Sequence, residues 1–348
     1  MRSFQNDYSE GAAPQILAAL VATNDEQTVG YTEGDPHCER ARQLIREACG
    51  QPDAMVEFCI GGTSANLICV AGMLRDYEGV ICTPDAHIAT HETGAIGACG
   101  RTTLATRDAD GFLSPEECER VWRFQTGTGR HMTRPRLLYI TDSTEFGGVW
   151  TTERFDAICD WAAEHDCKVY VDGARLGAAL QSPANDLTLE HLAGRADAFT
   201  IGGTKNGMLF GEAVVVRDPE LRRDFPYLQK ERGGLMAKGR LLGVQFSAAF
   251  EDGLYWRLAR HADEQALRLR DGMLELGYEP YLASPSNQQF FVVPDAVGDA
   301  FAEACGCETF LQMPDGRRVI RFVCSWATTP ESVDELLALA RTLGRDGC

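Results

Sequence analysis

Lys205 is the residue in this chain best placed for covalent chemistry. It stands in Thr200-Ile201-Gly202-Gly203-Thr204-Lys205-Asn206-Gly207, directly after a run, Asp197 to Ile201, that alternates and is rich in β-formers. That run reads as a short buried strand, and Gly202-Gly203 let the backbone turn sharply and approach a ligand. Lysine is scarce, with only Lys168, Lys205, Lys230 and Lys238 in the chain. An amine at the edge of a dry α/β core loses part of its pKa by desolvation and can act as a Schiff-base nucleophile. Alone, a lysine in a Gly-rich loop is more often a surface residue.

Two further stretches shift that balance. Gly61-Gly62-Thr63-Ser64, between a strand and a helix, is an anion cradle of bare N–H groups and a hydroxyl at a positive helix end. It matches neither the P-loop nor the dinucleotide fingerprint, so a nucleotide is not the obvious phosphate carrier. Val169-Tyr170-Val171-Asp172-Gly173-Ala174-Arg175 sets a carboxylate right after a buried strand, with a guanidinium following. The ordinary readings are a strand-to-helix turn and an Asp–Arg pair capping a helix. The functional reading pairs Asp172 with a protonated pyridine nitrogen, which makes the ring an electron sink. Phosphate cradle, carboxylate, then strand-Gly-Gly-Thr-Lys, in that order, is the layout a pyridoxal phosphate site requires.

The elements needed to hold these residues can be read from pattern. Residues 1–34 are irregular, with a short helix from Pro14 to Ala22, and Asp35-Pro36 opens a helix running to about Ala48. Ala54 to Ile60 is a strand, followed by the cradle and an apolar helix to about Arg75. Val80 to Thr83, Thr102 to Ala105, Leu137 to Thr141, Lys168 to Val171, Asp197 to Ile201 and Glu212 to Val216 are further strands. Ser114-Pro115-Glu116-Glu117 is a capping box. Strands alternating with helices predict a mainly parallel seven-stranded sheet, covered on both faces, in an α/β large domain over 35–245. Ligands in such sheets sit beyond the carboxyl ends of strands, which puts Gly62-Thr63, Asp172 and Lys205 on one rim. Residues 224–245 read as a Gly-bearing basic crossing segment. Residues 246–348 read as a small α+β C-terminal domain, with a helical stripe from Tyr255 to Leu276, strands at Asn287 to Val293 and Val319 to Cys324, and a last helix opened by Thr329-Pro330.

Composition narrows the partners. The chain has 348 residues and a formal net charge of -18, which repels phosphate backbones and anionic membranes and argues against nucleic acid and membrane partners. Its thirteen cysteines are scattered, with no C-x-x-C and only Cys305-Gly-Cys307 close together. That pattern points to reduced thiols in a cytoplasmic setting rather than a disulfide framework. No signal-peptide or membrane-spanning apolar run is present, and the pattern calls for no metal.

The chain resembles the β-eliminating lyase and threonine aldolase family, fold type I among pyridoxal phosphate enzymes. The resemblance is carried by Gly62-Thr63-x-Ala65-Asn66, Asp85-Ala86-His87 followed by Glu92, Val171-Asp172-Gly173-Ala174-Arg175, Thr200-Ile201-Gly202-Gly203-Thr204-Lys205 and Val319-Ile320-Arg321, in the family's order over almost the whole length. It implies a PLP-dependent transferase-like fold and a carbon–carbon lyase that splits a β-hydroxy-α-amino acid into glycine and an aldehyde. L-threonine or L-allo-threonine is the implied substrate, with phenylserine cleavage or another β-elimination as the alternative.

The implied roles follow residue by residue. Lys205 holds the cofactor, Gly62, Thr63 and Thr204 bind its phosphate, Asp172 keeps the ring nitrogen protonated and His87 stacks on the ring. Arg175 reaches the ring oxygen or the substrate carboxylate, and Arg321 clamps that carboxylate. Asn6-Asp7 stands where the family often has Ser, and Asn6 can still donate to a carboxylate. Where many members carry a second histidine, this chain has Thr144-Glu145-Phe146, so the base for the β-hydroxyl is His87, His91, Glu145 or a water. His91 also falls where some members carry an aromatic residue and is placed to shape the pocket. The resemblance also implies a homo-oligomer, dimer or tetramer, with sites at the subunit interface. Lys238, Lys230, Arg232 and Tyr31 are then candidates to reach a neighbour's phosphate, or ordinary solvated loop residues.

Overall fold

The computed structural model describes residues 2–346. Seven strands form the larger sheet: β1 (Met55–Cys59), β2 (Glu78–Cys82), β3 (Thr102–Ala105), β4 (Arg134–Thr141), β5 (Lys168–Asp172), β6 (Ala198–Gly202) and β7 (Glu212–Val216). Their order is β1-β7-β6-β5-β4-β2-β3. Neighbours from β3 to β6 run parallel, while β7 lies antiparallel between β1 and β6. The expected mainly parallel seven-stranded sheet is therefore borne out.

The alternation along each strand divides two cores. Ile81, Leu138, Ile140, Val169, Val171, Phe199 and Ile201 pack towards the helices Pro36–Ala48 and Thr152–Glu164. Their neighbours Val80, Leu137, Tyr139, Tyr170 and Ala198 pack towards the helices Gly62–Met73 and Pro219–Glu231. With both faces covered, β5, β6 and β7 are buried at every position, which explains their near-continuous apolar sequences. Each fully buried large apolar side chain contributes about 1.5–3 kcal/mol of transfer free energy.

Local signals set the helix starts. Asp35 Oδ1 accepts from the N–H groups of His37 and Cys38 at 3.0 and 2.9 Å, and Ser114 Oγ accepts from Glu117 N at 3.3 Å. The expected crossing segment at 224–245 is instead mostly helical. The helix Pro219–Glu231 is capped by Asp218 and buries Leu221, Phe225 and Gln229 on one face, and Pro226 does not end it. A second helix, Arg240–Phe250, follows, so only 232–239 is loop. The burial of one face outweighs the glycines and charges that made the stretch look irregular.

The carboxyl-terminal part builds an antiparallel sheet from β8 (Glu279–Pro280), β9 (Gln288–Pro294), β10 (Glu308–Gln312) and β11 (Arg317–Val323), in the order β10-β11-β9-β8. β8 and β10 were not foreseen, because both are short or exposed and lack an apolar run. The helices Leu254–Glu275, Asp295–Cys305 and Pro330–Asp346 share a core with it. The amino terminus threads into this core: Phe4 is fully buried, its N–H donates to Cys305 O at 2.8 Å, and its carbonyl accepts from Val323 N at 2.8 Å. No helix among the described residues is long and apolar enough to cross a membrane.

Candidate active site

Two glycines bring the ends of β5 and β6 together. A Cβ on Gly173 would lie 2.0 Å from Thr200 O, and one on Gly202 would lie 2.3 Å from Ala174 O. Neither position can carry a side chain without moving backbone. Gly202 N donates to Gly173 O at 3.0 Å and Gly173 N to Thr200 Oγ1 at 2.8 Å. This close seam sets Asp172, Arg175 and Lys205 around one rim.

Asp172 is buried and firmly held. Its Oδ2 accepts from Asn66 Nδ2 at 2.8 Å and Tyr139 Oη at 2.6 Å, and its Oδ1 accepts from Ala174 N at 3.0 Å. The Asn66 amide nitrogen also donates to Glu92 Oε1 at 2.8 Å, and that same oxygen meets His87 Nδ1 at 2.9 Å. A chain of buried polar contacts thus runs from Asp172 to the half-buried His87. Asn66 and Glu92 had been noted only as parts of a motif, without a role.

Lys205, half-buried, makes no hydrogen bond or ion pair with any described residue. Desolvation and then the charge of Arg175 hold its amine below the ordinary lysine value, against the opposing pull of Asp7, Asp172 and Glu212. Glu212, at the start of β7, pairs in register with Gly202 on one side and Cys59 on the other. Burial pushes its carboxyl above the usual range, and its Oε2 has no partner. Nothing in the sequence around Glu212 had set it apart.

Beyond β1, the helix Gly62–Met73 starts without a side-chain cap, and Cβ atoms on Gly61 or Gly62 would meet nothing within 4 Å. The start of this helix is therefore uncapped and open around Gly61 and Gly62, beside the exposed Thr63. Thr204 is less free, because its Oγ1 accepts from Gly211 N at 3.0 Å.

The amino-terminal segment supplies a residue that sequence reading passed over. Asp7 accepts from Arg175 Nε at 2.7 Å and Nη2 at 3.0 Å, and from Asn287 Nδ2 at 2.9 Å. Burial raises its carboxyl, but the charges of Arg175 and Lys205 and these hydrogen bonds outweigh that and hold it below the ordinary range. Asn6, the neighbour singled out from sequence, turns its Oδ1 to Tyr8 N at 3.0 Å and Ser9 Oγ at 2.9 Å.

Arg321, on β11, donates from Nη1 to Gln288 Oε1 at 3.1 Å, and its Nη2 contacts the Glu308 carboxylate. Its Nε is buried without a partner. Desolvation and then the like charge of Arg175 push its pKa down. His91 is exposed, with its ring 5.6 Å from that of His87. Burial of part of the ring and then the charge of His87 lower its pKa, and Glu308, Arg321 and Lys205 are close enough to contribute. Glu145 Oε1 accepts from His87 N at 3.0 Å and Oε2 from Thr141 Oγ1 at 2.8 Å, while burial pushes its carboxyl up to about 7. Lys238 is exposed in the 232–239 loop, and Lys230 sits 4.9 Å from the Tyr31 ring centroid.

Comparison with known proteins gives a consistent picture. The sequence profile of the beta-eliminating lyase family matches residues 7–297. A low specificity L-threonine aldolase of a Pseudomonas species is 31% identical over 350 residues, covering 98% of each chain. The solved structure of Leishmania major threonine aldolase superposes with a TM-score of 0.95 at 38% identity, covering 100% of both chains. Sphingomonas wittichii serine palmitoyltransferase, at 16% identity and a TM-score of 0.72 over 100% of this chain and 87% of that one, shares the fold.

Proposed function

Because this chain belongs to the beta-eliminating lyase family, we propose that it is a pyridoxal phosphate-dependent threonine aldolase that cleaves L-threonine or L-allo-threonine to glycine and acetaldehyde. The observation that carries the reading is the unpaired Lys205 amine, set on one rim with Asp172 and the uncapped Gly61-Gly62-Thr63 cradle. These residues fit the cofactor: the helix start at Gly61-Gly62 is uncapped and open, leaving room for a phosphate, and the lysine has no competing partner among the described residues.

Lys205 would anchor the cofactor, and the first-turn N–H groups with Gly62, Thr63 and the remaining capacity of Thr204 would take its phosphate. Asp172 would hold the ring nitrogen protonated, and His87 would lie against the ring. When bound, pyridoxal phosphate supplies an electron-withdrawing ring into which the electrons of the broken Cα–Cβ bond flow. The protein's own part is position and proton control. Asp172 can keep its charge fixed because three donors orient it before any substrate arrives. Arg321 would clamp the substrate carboxylate through its free Nε, with Arg175, steadied by Asp7, beside it. Asn6 retains its amide donors for the same carboxylate.

The β-hydroxyl proton needs an uncommitted acceptor. His87 Nδ1 is engaged by Glu92, and both Glu145 oxygens already accept hydrogen bonds. His91 is exposed, its pKa is lowered by partial burial and the charge of His87, and we propose it as the base, with His87 Nε2 as the competing acceptor.

A homo-oligomer with sites at the subunit interface completes this reading. It is supported by the apolar helix Pro14–Ala22, of which Leu17 is 48% and Val21 70% exposed. Within such an assembly Lys238 would reach a neighbour's phosphate.

Incubating the holoenzyme with L-threonine, L-allo-threonine and phenylserine while following aldehyde tests the proposal. Acetaldehyde with equimolar glycine is expected from the threonines, whereas an α-keto acid with ammonia would overturn it.

A further inference from the structure

Glu308 and Arg321 are paired residues on adjacent antiparallel strands, β10 and β11. Their side chains therefore share a face, and the Glu308 carboxylate meets Arg321 Nη2. A carboxylate can grip a guanidinium bidentately along the Nε–Nη2 edge or the Nη1–Nη2 edge. Nη2 belongs to both edges. Nη1 is also engaged, by Gln288 Oε1 at 3.1 Å, while Nε is buried with no partner. The free protein thus presents an arginine with one orphaned donor and its shared nitrogen already occupied by an internal carboxylate.

We propose that Glu308 is an internal competitor for the substrate: it fills the carboxylate seat on Arg321 and must be displaced when an amino acid docks. The inference rests on the reading of Arg321 as the carboxylate clamp. Two features suit Glu308 to exchange rather than permanent pairing. The Arg321 side chain is only 15% exposed but that of Glu308 is 46% exposed, so the acid can swing into water while the guanidinium stays. The second feature is charge. Arg321 is buried near Arg175, whose own charge is matched by Asp7, so an anion on Arg321 is favoured both when the site is empty and when it is filled. Glu308 serves the empty state and the substrate carboxylate the filled one. Glu308 thereby sets the concentration at which amino acids enter without taking part in bond cleavage.

The test compares wild-type, Glu308→Gln and Arg321→Lys holoenzymes at low ionic strength. Glycine binding is followed by the change in cofactor absorbance, alongside KM and kcat for L-threonine. A half-exposed ion pair corresponds to about a two- to fivefold effect. Glu308→Gln is therefore expected to tighten glycine by that factor and to lower KM more than it alters kcat. The amine 1-amino-2-propanol, which has no carboxylate to place on Arg321, should bind both proteins equally. Unchanged or weaker glycine binding in Glu308→Gln, with Arg321→Lys still weakening glycine strongly, overturns the competitor role and leaves the clamp intact. Equal tightening of glycine and the amine overturns it as well. If Arg321→Lys leaves glycine binding unaltered, the clamp reading fails and the inference with it.

Discussion

At Asp172 a buried carboxylate is fixed by donors from Asn66, Tyr139 and its own loop, whereas at Arg321 a guanidinium keeps one donor unpaired and shares another with a half-exposed acid. The first arrangement extends through Asn66 and Glu92 to His87, so the groups that would face the cofactor are oriented before anything binds. Glu92 Oε2 alone stands outside it, buried and without a partner. The second arrangement includes the exposed His91 and borders an outer strand, β10, with little cover. Chemistry common to every substrate benefits from rigid preorganised dipoles. Docking and release of a substrate carboxylate need contacts that can be exchanged. On the reading proposed above, the two sides of this site would meet those two requirements.

The largest expected effect tests whether the two sides share one centre at all. Lys205→Ala should lower aldehyde release on the order of a thousandfold or more, together with loss of the visible absorbance of lysine-bound cofactor. Retained turnover would separate the rigid side from catalysis.

Asn66→Ala probes the rigid side directly. It removes one nitrogen that serves both Asp172 Oδ2 and Glu92 Oε1 inside the core, with Asn66 itself fully buried. Leaving these acceptors short of donors costs about 1–3 kcal/mol, read as a lower thermal midpoint and weaker cofactor retention. A variant as stable as wild type would show that the network does not hold these groups in place before binding.

The pH profile of kcat decides which side carries the proton. A general base must be deprotonated, so activity falls as pH drops through its pKa. Burial and the charge of His87 lower the His91 pKa beneath the ordinary imidazole value of about 6.5. Burial raises Glu145 to about 7. An acid limb below about 6.5, lost in His91→Asn, is expected. A limb near about 7 that survives that substitution would move proton transfer to Glu145 and the rigid side.

Much of the rigid side was legible in the sequence and little of the open side. Strand ends marked by Gly61-Gly62, Gly173 and Gly202-Gly203 announce where Asp172 and Lys205 must lie, and at Gly173, Gly202 and Gly203 close backbone contacts require the glycine. Asp7 was not legible as the partner of Arg175, since the two are 168 residues apart and meet because Phe4 anchors the amino terminus in the core of the carboxyl-terminal sheet. Glu308 lies on a strand with no apolar pattern, and its partner is set by register across β10 and β11. Glu212 looks like an ordinary strand residue until its neighbours are known. The helix across 219–231 was obscured by surface charge and Pro226, while the burial of Leu221 and Phe225 that stabilises it depends on the finished core.

The smallest effect concerns a residue outside both sides of the site. Lys238 is exposed in the 232–239 loop, and the loop is pinned by Tyr31 N donating to Ala237 O at 2.9 Å. Lys230 already rests over the Tyr31 ring, which leaves Lys238 as the freer cation of the two. If it meets a phosphate across an interface, the contact is partly solvated and contributes on the order of 1 kcal/mol, or about fivefold in cofactor affinity. Lys238→Ala should therefore weaken pyridoxal phosphate binding by that factor at low ionic strength, with the difference shrinking as salt screens the charge. Unaltered affinity at low salt would return Lys238 to the solvated surface. The cradle at Gly61-Gly62-Thr63 and the rim around Lys205 would then hold the phosphate from within one subunit.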